Sequence, residues 1–136
     1  MTYASRTDLE DRYGVDELEQ RESVLPAGAV GRALSDADAE VDGYVAGAYN
    51  VPLSPVPSNI VRIAAAIARY RLLGDAATEQ TRADYEDAIR FLRDVQSGRA
   101  RLMSAAPIAG GTPAATIAVT TGGKVFARGS NGGLAG

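Results

Sequence analysis

Four carboxylates alternate along one short stretch, Asp36, Asp38, Glu40 and Asp42, with Gly43 directly behind them. Alternating acids before a glycine resemble the opening of a calcium loop, which takes oxygen ligands at alternate positions and closes with a bidentate acid at position twelve. Counted from Asp38, the twelfth residue is Tyr49, which cannot close such a loop. The run also lies inside a helical apolar pattern, where successive alternate residues diverge by about 200°. The sequence therefore predicts a solvated helix face, or a strip that meets a basic patch on a partner. Arg71 is the second chemically conspicuous residue, because it shares an apolar stripe with Ile60, Ala64 and Ile67. A buried guanidinium needs a carboxylate or several carbonyls, and Asp75, four residues on, is the nearest candidate, with acids of the last helix such as Asp87 as alternatives. The pair Arg71–Asp75 is expected to be structural rather than catalytic.

Little else could react. The chain has no His and no Cys, which removes the commonest general base, the commonest transition-metal ligand and the thiolate nucleophile. The Gly-Gly pairs beginning at 110, 122 and 132 do not sit between a strand and a helix, so no phosphate cradle is expected. No serine stands beside a plausible base. The expectation is a protein that is not an enzyme and holds no cofactor or metal.

NIVRIAAAIARYRLLG from Asn59 to Gly74 is the longest nearly unbroken apolar run. As a helix it would be roughly 24 Å long. Its apolar surface extends well round the cylinder, which marks a helix enclosed by others, with Arg62 and Arg69 opposite the main stripe. A second helix is predicted over about 27–47, where Val30, Ala33, Leu34, Ala37, Val41, Tyr44 and Val45 keep helical spacing. A third is predicted over about 78–97, with Tyr85, Ala88, Ile89, Leu92 and Val95 on its inner face and Gly98 as its stop. Pro52, Pro55 and Pro57 recur too closely for helix, so residues 50–57 read as a stiff extended link. The N-terminus predicts a short helix capped by Ser5 or Thr7 and stopped by Gly14, then a turn over 15–20 and a connector over 21–25. Tyr44, Tyr49, Tyr70 and Tyr85 are expected to pack at helix edges.

The fold class is thus mainly α: a small bundle of three main helices plus short N-terminal helices over residues 1–98. Two Phe and no Trp make its core light, a state that oligomerisation would relieve. Residues 99–136 differ in kind, holding eight of the 15 glycines and four cations without one acid. They read as an extended arm in which 116–120 and 124–128 can form a β-hairpin about Thr121-Gly122-Gly123. Ile117, Val119, Lys124, Val125, Phe126 and Arg128 are its candidate partner-binding residues.

Charge and hydropathy narrow the setting. A net charge of −3 argues against a protein that coats nucleic acid. No apolar run reaches the roughly 18 residues of a bilayer span. The opening MTYASRTDLEDRYG is polar and acidic, unlike a signal peptide. These features predict a soluble intracellular protein without a membrane partner.

Several segments resemble a known family in order and spacing. They are YASRTDL from Tyr3, Tyr13-Gly14 with Leu18, ALSDADAEVDGY from Ala33, YNVPL from Tyr49, IARYRLLGD from Ile67 and YEDAIRFL from Tyr85. Together they resemble the Mu-like phage and prophage head–tail connector family over roughly residues 2–98, and VFARGS from Val125 resembles the short Phe/Arg tail of many relatives. Residues 104–124 match no such pattern. The resemblance implies a structural virion protein at the neck, assembled in the host cytoplasm as a ring beneath the portal, typically dodecameric. It implies portal, stopper or tail proteins as partners, and DNA passing through the channel without specific binding. A head-completion, stopper or tail-terminator protein is the nearest alternative. A small helical DNA-binding packaging or regulatory subunit is the alternative of another class, although no basic recognition helix stands out.

Overall fold

The computed structural model describes residues 2–103. The arm residues Ile117 to Arg128 and the expected hairpin at 116–128 lie outside the described residues. Within them the chain is helical, with no β-strand: α1 is Arg6–Tyr13, α2 Val15–Val24, α3 Ala29–Val45, α4 Ser58–Leu73 and α5 Glu79–Ser97. No helix among the described residues is long and apolar enough to cross a membrane.

Local chemistry sets most of the boundaries. Ser5 and Asp8 form a reciprocal capping box: the Ser5 hydroxyl accepts from the Asp8 N–H at 3.1 Å, and the Ser5 N–H donates to the Asp8 carboxylate at 2.8 Å. Gly98 ends α5 in the left-handed region at φ 87°, where a side chain would be strained. A turn over 46–48 follows α3, and a bent link with cis peptide bonds at Val51-Pro52 and Ser54-Pro55 leads to Pro57, whose φ of −61° suits the entry to α4. Thr78 caps α5, accepting from the Thr81 N–H at 3.2 Å.

The bounds of α2 and α3 differ from the sequence expectation, and α3 also ends two residues early, at Val45. α2 continues to Val24, so residues 21–24 are helix rather than connector. Tertiary bonds hold this polar last turn. The Arg21 Nε–H donates to the Leu72 carbonyl at 3.0 Å, and both Glu22 oxygens accept from Arg6 at 2.6 and 2.8 Å. α3 begins at Ala29, two residues late, because Gly28 is left-handed at φ 83°.

α4 is the centre of the bundle. Ile60, Ile63, Ile67 and every residue from Ala64 to Ala68 are buried, so the helix is enclosed on most sides. α3, α4 and α5 pack against one another, while α1 leans on α4 and α2 on α3. Alanines on α4 allow close approach, and its isoleucines share one core with Val41, Val45, Leu92 and Val95. Each fully buried isoleucine contributes about 1.5–3 kcal/mol from its removal from water. The chain does not leave the body at Gly98. Leu102 is buried, and its N–H donates to the Tyr49 hydroxyl at 3.0 Å.

Candidate functional site

The four alternating acids of α3 fan to two sides of the helix; Asp36 is exposed, and Asp38, Glu40 and Asp42 are half-buried. The expected solvated face is therefore mostly a set of internal bridges. Asp38 and Asp42, one turn apart, face the N-terminal segment. The Tyr3 N–H donates to Asp38 Oδ1 at 2.9 Å, and the Tyr3 hydroxyl donates to Asp42 Oδ1 at 2.5 Å. That hydroxyl also accepts from the buried Leu53 N–H at 2.9 Å, so one phenol joins α3 to the proline-rich link. Burial, followed by the bond to Asp42, pushes the Tyr3 phenol up to about 12. Burial likewise raises the Asp38 carboxyl, against the opposing effect of the Tyr3 N–H.

Glu40 points the other way and gathers two helices. One oxygen accepts from Arg71 Nη2 at 2.8 Å, and the other accepts from the Tyr85 hydroxyl at 2.7 Å. This corrects the expected Arg71–Asp75 pair. Gly74 at φ 52° turns the chain out of α4, so Asp75 does not stand one helical turn above Arg71 and is exposed instead. Arg71 is itself 43% exposed and is not an internal clamp. Its pKa is raised, first by the bond to Glu40. The Tyr85 phenol is pushed up to about 12 by burial and then by the same carboxylate.

Around this bridge lies a tyrosine–arginine surface. The rings of Tyr70 and Tyr85 stack with centroids 4.3 Å apart and planes 14° from parallel. They line a cleft of about 450 Å³ with Arg71, Gly74, Asp75 and Arg82. A neighbouring cleft of about 440 Å³ shares Tyr85 and adds Tyr44, Ile89, Arg90 and Arg93. Thus Tyr44, Tyr70 and Tyr85 pack at helix edges as the sequence suggests, whereas Tyr49 is fully inside.

The opposite flank of α4 is built differently. Arg69 reaches Glu17 of α2 with two bonds of 2.9 Å and lies over the Tyr13 ring, 4.2 Å from its centroid. Its charge is therefore matched within the fold. At about 100° per residue, Arg69 and Arg71 project about 200° apart, one toward α1–α2 and one toward α3–α5. Sequence reasoning missed Tyr3, Glu17 and Glu40 as bridging residues.

Among the described residues, no group of three acids could hold a metal ion. The carboxylates instead fasten helices together, and the exposed feature is the tyrosine–arginine surface.

Comparison with known proteins gives a family. The description "Bacteriophage Mu, Gp36" belongs to a family model that matches residues 3–119. A Mu-like prophage FluMu protein gp36 from Haemophilus influenzae is 44% identical over 101 residues, covering 71% of this chain and 72% of the relative. Gene product J of Escherichia phage Mu is 36% identical over 105 residues, 73% of this chain and 74% of that protein.

Proposed function

This chain belongs to the Mu Gp36 family, and from that premise we propose that it is a head–tail connector of a Mu-like phage or prophage particle. Family membership in proteins of phage Mu and a Mu-like prophage supports a structural or morphogenetic role, and it is the observation that carries this reading. In the proposal the helical body forms a ring beneath the portal at the virion neck and joins the capsid to the tail. It acts by assembly, with no reaction and no cofactor. A closed ring needs heterologous contacts between copies, in which two different faces meet. The body is compatible with that use, since the half-buried Glu17 and Glu40 carboxylates are occupied in bridges while a face rich in Tyr and Arg stays open. The net charge of −3 also suits a channel wall that lets DNA slide past.

The test is reconstitution with purified portal, read by native mass and electron microscopy. Rings of this chain on the portal support the connector. Binding to tail protein alone would replace the reading with a tail-terminator, and strong salt-dependent binding to DNA with a DNA-binding subunit. A variant lacking residues 104–136 is expected to keep its helical body and fail to join the portal.

A further inference from the structure

Two unlike faces of the body remain uncommitted, and their charges are complementary. The first is the tyrosine–arginine surface of α4 and α5. Arg82 and Arg93 are exposed there and make no ion pair among the described residues. They flank stacked Tyr70 and Tyr85, and the two clefts give relief into which a partner side chain fits. Tyr and Arg are the residue types that most often carry protein–protein binding energy.

The second face is the outer stripe of α2. Asp16, Glu19, Gln20 and Ser23 are all exposed and fall within an arc of about 100° opposite buried Leu18. Neither Asp16 nor Glu19 is in an ion pair among the described residues. Val15 and Val24, 45% and 64% exposed, supply apolar surface at the two ends of the helix. The divergence of Arg69 and Arg71 puts these faces on opposite flanks of α4, so one molecule cannot satisfy itself.

We infer that the Arg82–Arg93 surface of one copy receives the Asp16–Glu19 stripe of a second copy of this chain, in a head-to-tail contact. The occupant is protein rather than nucleic acid because acids are interspersed with the arginines: Asp75 lines the first cleft and Glu86 the second. A polyanion would meet those acids along its length, whereas a short stripe of carboxylates pairs locally with Arg82 and Arg93. The inference rests on the connector reading only for the closure of successive contacts into a ring.

The experiment uses the full chain without portal, followed by sedimentation velocity and native mass spectrometry. Wild type is expected to self-associate, and more weakly as salt rises. Arg82→Glu with Arg93→Glu should weaken association about a hundredfold, as should Asp16→Arg with Glu19→Arg, each with wild-type helicity by circular dichroism. Mixing these two double variants restores association, because each then offers the other a complementary face on both sides. Arg71 is left intact because it bonds Glu40. The inference is overturned if wild type stays monomeric at about 100 µM, if either double variant associates normally, or if mixing restores nothing. It is also overturned if wild type binds short duplex DNA and Arg82→Glu with Arg93→Glu abolishes that binding. Failure to dock on portal with self-association intact would overturn the connector reading alone.

Discussion

Replacing Tyr3 by Phe removes one oxygen and no packing volume, yet it should be among the costlier single changes in this body. The hydroxyl donates to the Asp42 carboxylate and accepts from the Leu53 N–H. A bond to a charged group contributes about 1.5–3 kcal/mol, and a buried N–H left without an acceptor costs about 1–3 kcal/mol. Asp42 is only half-buried, so water replaces part of what it loses, and the two effects overlap. The expected loss is about 2–4 kcal/mol, or about 10 °C in melting temperature for a chain of this length. Urea unfolding followed by circular dichroism should show the midpoint fall by about 1–2 M with an unchanged slope. A double-mutant cycle with Asp42→Asn should return a coupling of about 1–2 kcal/mol. Tyr13→Phe is the control, since Tyr13 meets Arg69 through its ring face, and it should cost under about 0.5 kcal/mol. If Tyr3→Phe were as mild as Tyr13→Phe, Tyr3 could not be the bridge described.

Ile63→Ala, at the centre of α4, should cost about 2–5 kcal/mol in the same assay, because a fully buried branched side chain leaves a cavity. Glu40→Ala should cost about 1–3 kcal/mol by leaving the part-buried Tyr85 hydroxyl without its acceptor, whereas Arg71→Ala should cost less than about 1 kcal/mol because that arginine is 43% exposed and its ion pair is open to water; the reverse order of urea midpoints would refute the bridge. Alkaline pH tests both phenols. In the folded state Tyr3 and Tyr85 hold their protons up to about 12, while in the unfolded chain they release them near the ordinary phenol value of 10.0. Between those limits the folded state binds more protons, so their contribution is fully present below about 10 and is lost as pH rises toward 12. Urea midpoints measured across that window should fall, and less steeply in Tyr3→Phe. Gly98→Ala should cost about 1 kcal/mol through the left-handed cap of α5, read by thermal melting.

What the sequence makes legible follows from the range of the interaction. Helix periodicity and caps are local, so α4, the capping Ser5 and the stops at Gly74 and Gly98 are all readable in the chain. The length of α2 is not, because Arg21, Glu22 and Ser23 are polar, and Arg21 and Glu22 are held by partners 51 and 16 positions away. The acids of α3 show the same limit. Their alternation says that they diverge around the helix, but nothing local says that Tyr3 stands on one side and Arg71 on the other. The mistaken Asp75 partner has a related cause: spacing of four implies contact only while the helix continues, and Gly74 ends it. The tyrosine–arginine surface was visible as residue types but not as a surface, since α3, α4 and α5 each contribute part of it.

Two tyrosine hydroxyls each accept from a buried backbone N–H: Tyr3 from Leu53, and Tyr49 from Leu102. Tyr49 and Leu53 are four residues apart, a stretch that spans at most about 14 Å. The first and last segments of the body are therefore tied to one short piece of chain, and they come together at a single patch. Topologically the body is close to a closed loop. A circular permutant that joins Thr2 to Met103 by a short linker and opens the chain at the turn between α4 and α5 should still fold. In an assembly, anything attached to either end of the body is presented to the same side.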